Sequence, residues 1–244
     1  MNDVRVSVCM ATYDGARYIE PQLASILTEL EPQDEVVIVD DASRDSTPEY
    51  LRGIDDPRVR VHLRTENRGY VRSFEEALAF ATGDVVMLAD QDDVWVPGRR
   101  ALFVTALADA GVAASNLELL ESGNPLPHPL TGRPWRLRSE SSRQGVRNAV
   151  RILAGVAPYY GCAMALRRDA LERVLPFPDF LDESHDLWIA MFGNVHRTMR
   201  HIDQPTIRRR IHDSNASPSR PRGLAAVLRA RVMLLGAWWA SLRR

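Results

Sequence analysis

Residues 85–97 read Val-Val-Met-Leu-Ala-Asp-Gln-Asp-Asp-Val-Trp-Val-Pro, an apolar run that ends in Asp90, Asp92 and Asp93 within four positions. Such a run is a buried strand. Two carboxylates about 4 Å apart repel by roughly 4 kcal/mol at an effective dielectric near 20. A strand tip that keeps three of them needs a metal ion, a basic side chain or open water beside it. Two further apolar runs end in polar turns, Thr12-Tyr13-Asp14 and Asp40-Asp41. A further acid, Asp186, stands next to His185 at the start of the helix-like run His-Asp-Leu-Trp-Ile-Ala-Met-Phe. Side chains of these types can hold a divalent cation, accept an N–H and take up a proton.

The elements that carry them alternate. Strands are expected at Val4–Met10, Asp34–Asp40, Arg58–Leu63 and Asp84–Asp90. Between them, Leu23, Ile26, Leu27 and Leu30 recur at helical spacing, as do Phe74, Ala77, Leu78 and Ala81. Pro21 fits only in a first helical turn, and Ser and Asp residues near 43–46 suit the start of a short helix. A further helix is expected after Pro97. Strand–helix alternation with continuously apolar strands predicts an α/β fold, a mostly parallel sheet with helices on both faces. Ligands of such sheets bind outside the carboxyl ends of the strands, so the three acidic turns should meet on one rim.

The second half reads differently. Residues 121–145 are rich in Pro, Gly, Ser and Arg and read as a long loop. A short strand and helix follow over Gly161–Val174, then the helix carrying His185 and Asp186, then a strand region near 200–210. That strand runs into a Ser/Pro/Arg segment that could close over a ligand or remain solvated. The expected organisation is a ligand-binding half over 1–120, a second half of the same domain over 121–222, and a C-terminal helix over 223–244.

Bulk properties narrow the classes. Hydrophobic residues make up 45% and charged residues 26% of the 244, the balance of a soluble globular chain. A net charge of −1 gives no pull toward nucleic acid. The basic residues are all Arg, which removes lysine chemistry on phosphates. Cys9 and Cys162 lack metal-ligand spacing and read as buried thiols of a reducing compartment. No basic segment leads into an apolar one at the N-terminus, so a cytoplasmic protein is expected. The tail, Arg222 to Arg244, is apolar but interrupted by Arg229 and Arg231, which argues against a spanning helix. Two readings of it stay open: a helix packed on the body or on a second subunit, or a helix lying on a membrane surface with Trp238 and Trp239 at the interface.

Seven stretches together resemble the family 2 glycosyltransferases: VSVCMATYDGARYIEPQLASIL, VIVDDASRDST, ENRGYVRSFEEAL, GDVVMLADQDDVW, GCAMALRR, HDLW and RRIHDSN. Their order and spacing cover roughly residues 4–215, and within the family they are most similar to rhamnosyltransferase-like members. The resemblance implies the GT-A fold, a nucleotide-diphosphate sugar donor, Mg²⁺ or Mn²⁺, and inversion at the anomeric carbon. It implies that Asp90-Gln91-Asp92 is the family's Asp-x-Asp, with Asp92 the direct metal ligand, Asp90 on the ribose or a metal-bound water, and Asp93 in support. Asp41 would accept the imide N–H of uracil or thymine, favouring a UDP or dTDP donor, with dTDP-rhamnose one candidate. Thr12, Tyr13 and Asp14 would sit at the base and ribose, and Arg68 and Gly69 in a turn beside the nucleotide. Asp186 matches the catalytic base. His212 matches a histidine brought to the metal or diphosphate, and Arg210 could close over the diphosphate. Tyr160, Gly161, His185 and Trp188 fall on the acceptor side, where aromatic faces would stack on sugar. The acceptor itself, a glycan, a lipid-linked sugar or a small molecule, stays open.

Other classes share parts of this pattern. A sugar-1-phosphate nucleotidyltransferase needs a Gly-rich phosphate loop and a lysine, and this chain has neither. A dinucleotide-dependent oxidoreductase needs Gly-x-Gly-x-x-Gly after the first strand, where this chain has Ala-Thr-Tyr-Asp-Gly-Ala-Arg-Tyr. A non-catalytic sugar-nucleotide-binding subunit would keep the donor motifs without needing Asp186.

Overall fold

The computed structural model describes residues 4–128, 131–212 and 223–244. The motif residues from Asp213 onward, with the Ser/Pro/Arg segment to 222, lie outside them. Eight strands form one sheet in the order β3-β2-β1-β4-β7-β6-β8-β5. They are β1 (Val6–Thr12), β2 (Glu35–Asp40), β3 (Val59–Leu63), β4 (Val85–Ala89), β5 (Val94–Trp95), β6 (Val112–Leu119), β7 (Met164–Arg167) and β8 (Met199–Arg209). Four of the seven pairings are parallel, β1 with β2 and β4, β2 with β3, and β6 with β8. The antiparallel ones join β7 to β4 and β6, and β5 to β8.

The parallel strands are apolar throughout because both faces are covered. Val8, Met10, Val36, Ile38, Met87 and Ala89 point into one core, under α1 (Ile19–Glu29), α2 (Thr47–Arg52) and α4 (Arg99–Leu107). Their neighbours Cys9, Val37, Val39, Val86 and Leu88 point into the other, under α3 (Tyr70–Phe80), α6 (Arg168–Val174) and α7 (His185–Val195). Pro21 is the third residue of α1, as its missing N–H requires. Both cysteines are free and buried.

The alternation expected for the first 110 residues is present. Three elements were not expected from sequence: the two-residue β5, β6 and α5 (Gly145–Ala154). β6 buries the polar Ser115 and Asn116 rather than a clean apolar run. Asn116 is satisfied by Leu137 O, Ile202 O and Asp203 O through its amide and by Leu137 N–H through its carbonyl. The loop before α5 carries one short 3-10 turn, Ser139–Ser141. The C-terminal helix, α8 (Leu224–Ser241), packs on α7 and α5.

Strand order 3-2-1-4 reverses direction at β1. The crevice beyond the carboxyl ends of β1 and β4 is therefore the expected ligand site.

Candidate active site

A cleft of about 490 Å³ opens at that switch point. Its walls bring together Thr12 at the end of β1 and Tyr13 after it, Asp41 after β2, Gly69 before α3, and Asp90 and Asp92 after β4. Tyr160 and Gly161 before β7, and His185 and Asp186 at the start of α7, close the far side. Residues 90 and 186, far apart in sequence, face one cavity.

The β1 turn and the acidic turn are tied by the middle residue of Asp90-Gln91-Asp92. Gln91 accepts the Tyr13 N–H at 2.9 Å and donates to Tyr13 O at 3.0 Å. Gly15 makes this possible, since a Cβ there would lie 2.1 Å from Gln91 Oε1. Thr12 is buried and donates to Asp40 Oδ1 at 2.9 Å.

Asp41 is 2% exposed. Its Oδ1 accepts from Arg64 and from Arg68 N–H, both at 2.9 Å, and its Oδ2 from Gly69 N–H at 2.8 Å. Gly69 has φ 83°, a conformation that favours glycine. A carboxylate offers about four acceptor positions, so three bonds leave one.

The acids beyond β4 lack comparable support. Burial, then repulsion from Asp93 and Asp92, pushes the Asp90 carboxyl well up from the usual range. Asp93 is also raised, by burial and then by Asp92, while Arg210 N–H reaches its Oδ1 at 3.1 Å. Ligand atoms of Asp90, Asp93 and Cys162 lie within 4.8 Å of one another. Burial holds the Cys162 thiol protonated, so the oxygens are the donors this cluster offers, and carboxylate oxygen suits Mg²⁺ or Mn²⁺. Asp92 Oδ2 meets His212 Nε2 at 2.7 Å, and the His212 ring stacks on Tyr18 with centroids 4.6 Å apart. Asp92 and His212 thus sit together at the edge of the acidic turn.

Asp186 lies in the first turn of α7 after Ser184, which has φ 58°. Burial raises its carboxyl to about 6, opposed by backbone N–H bonds including that of Gly161. Its charge also contributes to raising Asp90, which places the two across the same space. His185 is 5% exposed, stacked on Phe74 with centroids 4.3 Å apart, and burial lowers it to about 3. Among the described residues neither of its ring nitrogens has a partner. Gly161 leaves room for it, because a Cβ there would stand 2.9 Å from His185 Nε2.

Several expected residues are placed elsewhere. Trp188 is fully buried with its indole N–H on Val174 O at 3.2 Å. It therefore offers no face to an acceptor sugar, which corrects the expectation. Two residues along a helix is about 200° of rotation, so Trp188 turns to the core when Asp186 faces the cleft. Asp14 is exposed and caps the neighbouring turn through Arg44 N–H at 2.7 Å, outside the cleft lining. Arg68 contributes its backbone to Asp41 while its side chain is exposed. Arg210 braces the acidic loop from outside the cleft, with Nε on Asp92 O at 3.2 Å and its guanidinium 5.2 Å from the Tyr18 ring centre.

Sequence reasoning missed Arg209. It lines the cleft, interacts with Asp93, Asp90 and Cys162, and lies 5.2 Å from the Tyr160 ring centre. The signal was there: a strand period of two puts 209 on the same face as fully buried Ile207. Arg99 was missed too. Its fully buried guanidinium donates to Cys162 O at 2.7 Å and lies 4.7 Å from the Trp95 ring centre. The acidic tip thus has basic side chains beside and beneath it, and still retains raised carboxyls.

Comparison with known proteins agrees with this architecture. An uncharacterised glycosyltransferase of Nostoc is 28% identical over 185 residues, 71% of this chain and 54% of that protein. The succinoglycan biosynthesis protein ExoO of Rhizobium meliloti is 33% identical over 138 residues, 56% of this chain and 37% of its own length. The chain thus spans about half or less of these relatives. Among solved structures, S. aureus TarS in complex with UDP-GlcNAc superimposes with TM-score 0.70 at 18% identity, over 95% of this chain and 66% of that one. The mannosyltransferase PcManGT from Pyrobaculum calidifontis, in complex with GDP-Man and Mn²⁺, gives 0.60 at 24% identity, over 99% of this chain and 65% of that one. These likenesses establish the GT-A fold. The model of "Glycosyl transferase family 2" matches residues 7–175, well over half of the chain, and on that ground the chain belongs to this family.

Proposed function

We propose that the chain transfers a sugar from a pyrimidine nucleoside diphosphate donor, UDP or dTDP, to an acceptor hydroxyl, with inversion. The observation that carries this is the facing of Asp90 and Asp92 by Asp186 across one cleft, with Asp41 at the nucleotide end. Asp90 and Asp92, with His212 beside Asp92 and Asp93 behind, would hold Mg²⁺ or Mn²⁺. An ion held there would supply positive charge to the departing diphosphate. PcManGT with its Mn²⁺ and TarS with its UDP-GlcNAc support an ion and a nucleotide sugar at this fold's cleft.

Asp41 binds the base. Its one remaining acceptor position matches the single imide N–H of uracil or thymine, whereas a guanine edge presents two donors. Arg209, among Asp90, Asp93 and Tyr160, keeps a positive charge near the diphosphate that does not depend on the ion. Asp186 takes the proton of the acceptor hydroxyl as that oxygen attacks the anomeric carbon from the side opposite the diphosphate. A raised carboxyl is a stronger base than a free one while still ionised near neutral pH. His185 and Tyr160 line the acceptor side, and the relative ExoO supports a growing polysaccharide as acceptor class.

Thermal unfolding with a panel of nucleotide sugars and Mn²⁺ tests this reading. Binding to the folded state raises apparent stability, by about 2.7 kcal/mol at a hundredfold excess over Kd. UDP- or dTDP-sugars should raise Tm only with the metal present. A response to GDP-sugars alone would overturn the pyrimidine assignment.

A further inference from the structure

α8 has two apolar sides. Ala230, Met233, Leu234 and Ala237 turn inward against α7 and α5 and are at most 8% exposed. Leu228, Val232, Leu235, Trp239 and Leu242 turn outward, each between 50% and 67% exposed. Their spacing of four, three, four and three residues keeps them in one stripe along the helix. Among the described residues nothing covers the stripe, and protein surfaces rarely leave such a row of large side chains bare unless it meets something.

The charges say what. Arg229 and Arg243 are exposed beside the stripe, and the Arg243 guanidinium lies 4.6 Å from the Trp239 ring centre. No Asp or Glu occurs from 223 to 244. The neighbouring α5 repeats the pattern. Val146 and Val150, one turn apart, are 75% and 58% exposed, Arg143 and Arg147 are exposed with them, and residues 141–157 contain no acid. A chain of net charge −1 has concentrated arginine and apolar side chains on two touching helices and kept carboxylates off both.

We propose that the outer faces of α5 and α8 dock on an anionic lipid bilayer, with the α8 stripe and Trp239 entering the headgroup region and the arginines meeting lipid phosphates. Apolar side chains with Trp on one face and arginine beside them are what such a surface selects. Arg231, which blurs the stripe in the sequence, is drawn aside onto Ala154 O at 3.1 Å. No helix among the described residues is long and apolar enough to cross a membrane, so the contact is in-plane. A second copy fits less well: a twofold interface would set this arginine-bearing patch against the same patch, with no acid on either helix to pair Arg147, Arg229 or Arg243. The docking stands on these helices alone and is independent of the transfer reaction.

The test uses the full chain and sedimentation with vesicles of phosphatidylcholine, with or without phosphatidylglycerol. Binding to the phosphatidylglycerol vesicles only, weakened by salt, is expected. Val232→Glu with Leu235→Glu should lower that binding by about tenfold or more, and Arg229→Glu with Arg243→Glu by a similar factor. Retained Tm in both double variants shows that the fold is intact. The proposal fails if the wild-type chain ignores phosphatidylglycerol vesicles, or if both double variants bind them as well as wild type does. It also fails if light scattering shows a dimer that Val232→Glu with Leu235→Glu turns into a monomer.

Discussion

Two acidic strand ends face one cleft and are built in opposite ways. Asp41, after β2, is buried with an arginine and two backbone N–H groups already on it. Asp90 and Asp93, after β4, are crowded by each other and by Asp92, and their carboxyls are raised by burial and that repulsion. The first is a finished receptor, its charge neutralised by the protein and one acceptor position left to read a ligand. On the reading proposed above, the second would be completed by a cation. Asp186 falls between them, raised by burial to about 6 and free to exchange a proton at neutral pH. The difference fits the proposed roles: a base-reading carboxylate would be fixed by its protein partners, whereas carboxyls raised by burial and mutual repulsion would be relieved by a cation.

Breaking the two sides should give different signatures. The largest effect is expected at Asp186. Asp186→Asn should lower kcat by about 10²–10⁴ while donor affinity, measured by calorimetry, stays within about twofold, since general base catalysis contributes that much. Near-normal turnover would remove Asp186 from the chemistry. On the finished side, Arg64→Ala leaves Asp41 buried without its cation, and side-chain exposures of 10% and 3% make this a buried pair. Denaturant unfolding should show a loss of about 3 kcal/mol, the low end for such pairs because two N–H bonds remain. A loss within experimental error would mean that Asp41 does not need Arg64.

The pH dependence separates the base from the metal cluster. With saturating Mn²⁺ the raised Asp90 and Asp93 carboxyls would be held ionised, leaving Asp186 to control the acid limb. Log kcat/KM should be flat above pH about 6 and fall by about one unit per pH unit below it. A limb near 4 would show that the carboxyl is not raised. The smallest effect is a gain. Asp93 is raised in the folded protein above its unfolded value, so the folded state binds more protons in that window. Metal-free stability therefore falls as pH rises through it. Asp93→Asn should stabilise the metal-free protein at neutral pH by about 1 kcal/mol, and the stabilisation by Mn²⁺ should shrink. A destabilised metal-free variant would place Asp93 among the finished groups.

The same contrast separates what the sequence disclosed from what it hid. β1 to β4 were legible because a strand covered on both faces must be apolar throughout, so its polar end stands out. Thr12, Asp41 and Asp90 could be placed on one rim from that rule alone. β6 was hidden because its buried Ser115 and Asn116 spend their polarity on partners distant in sequence. α5 was hidden because Arg147 and Arg151 interrupt a narrow buried stripe of Asn148, Ala149 and Ile152. Trp188 was assigned by adjacency to Asp186, and helix rotation overrules adjacency. Arg209 was lost in a run of three arginines whose members face different ways. Charge type and spacing thus locate a site, but the orientation of each side chain depends on pairings made by strands and helices far along the chain.

The claim on which the account turns is that the acids beyond β4 complete their site with a divalent cation held against a diphosphate. Calorimetric titration of UDP and of dTDP, with Mn²⁺ and with chelator, into the wild-type chain and into Asp92→Ala tests it directly. Tight binding of at least one nucleotide to wild type with Mn²⁺ is expected, with a loss of at least about tenfold, about 1.4 kcal/mol, with chelator or in the variant. Equal affinity in all three conditions would contradict it.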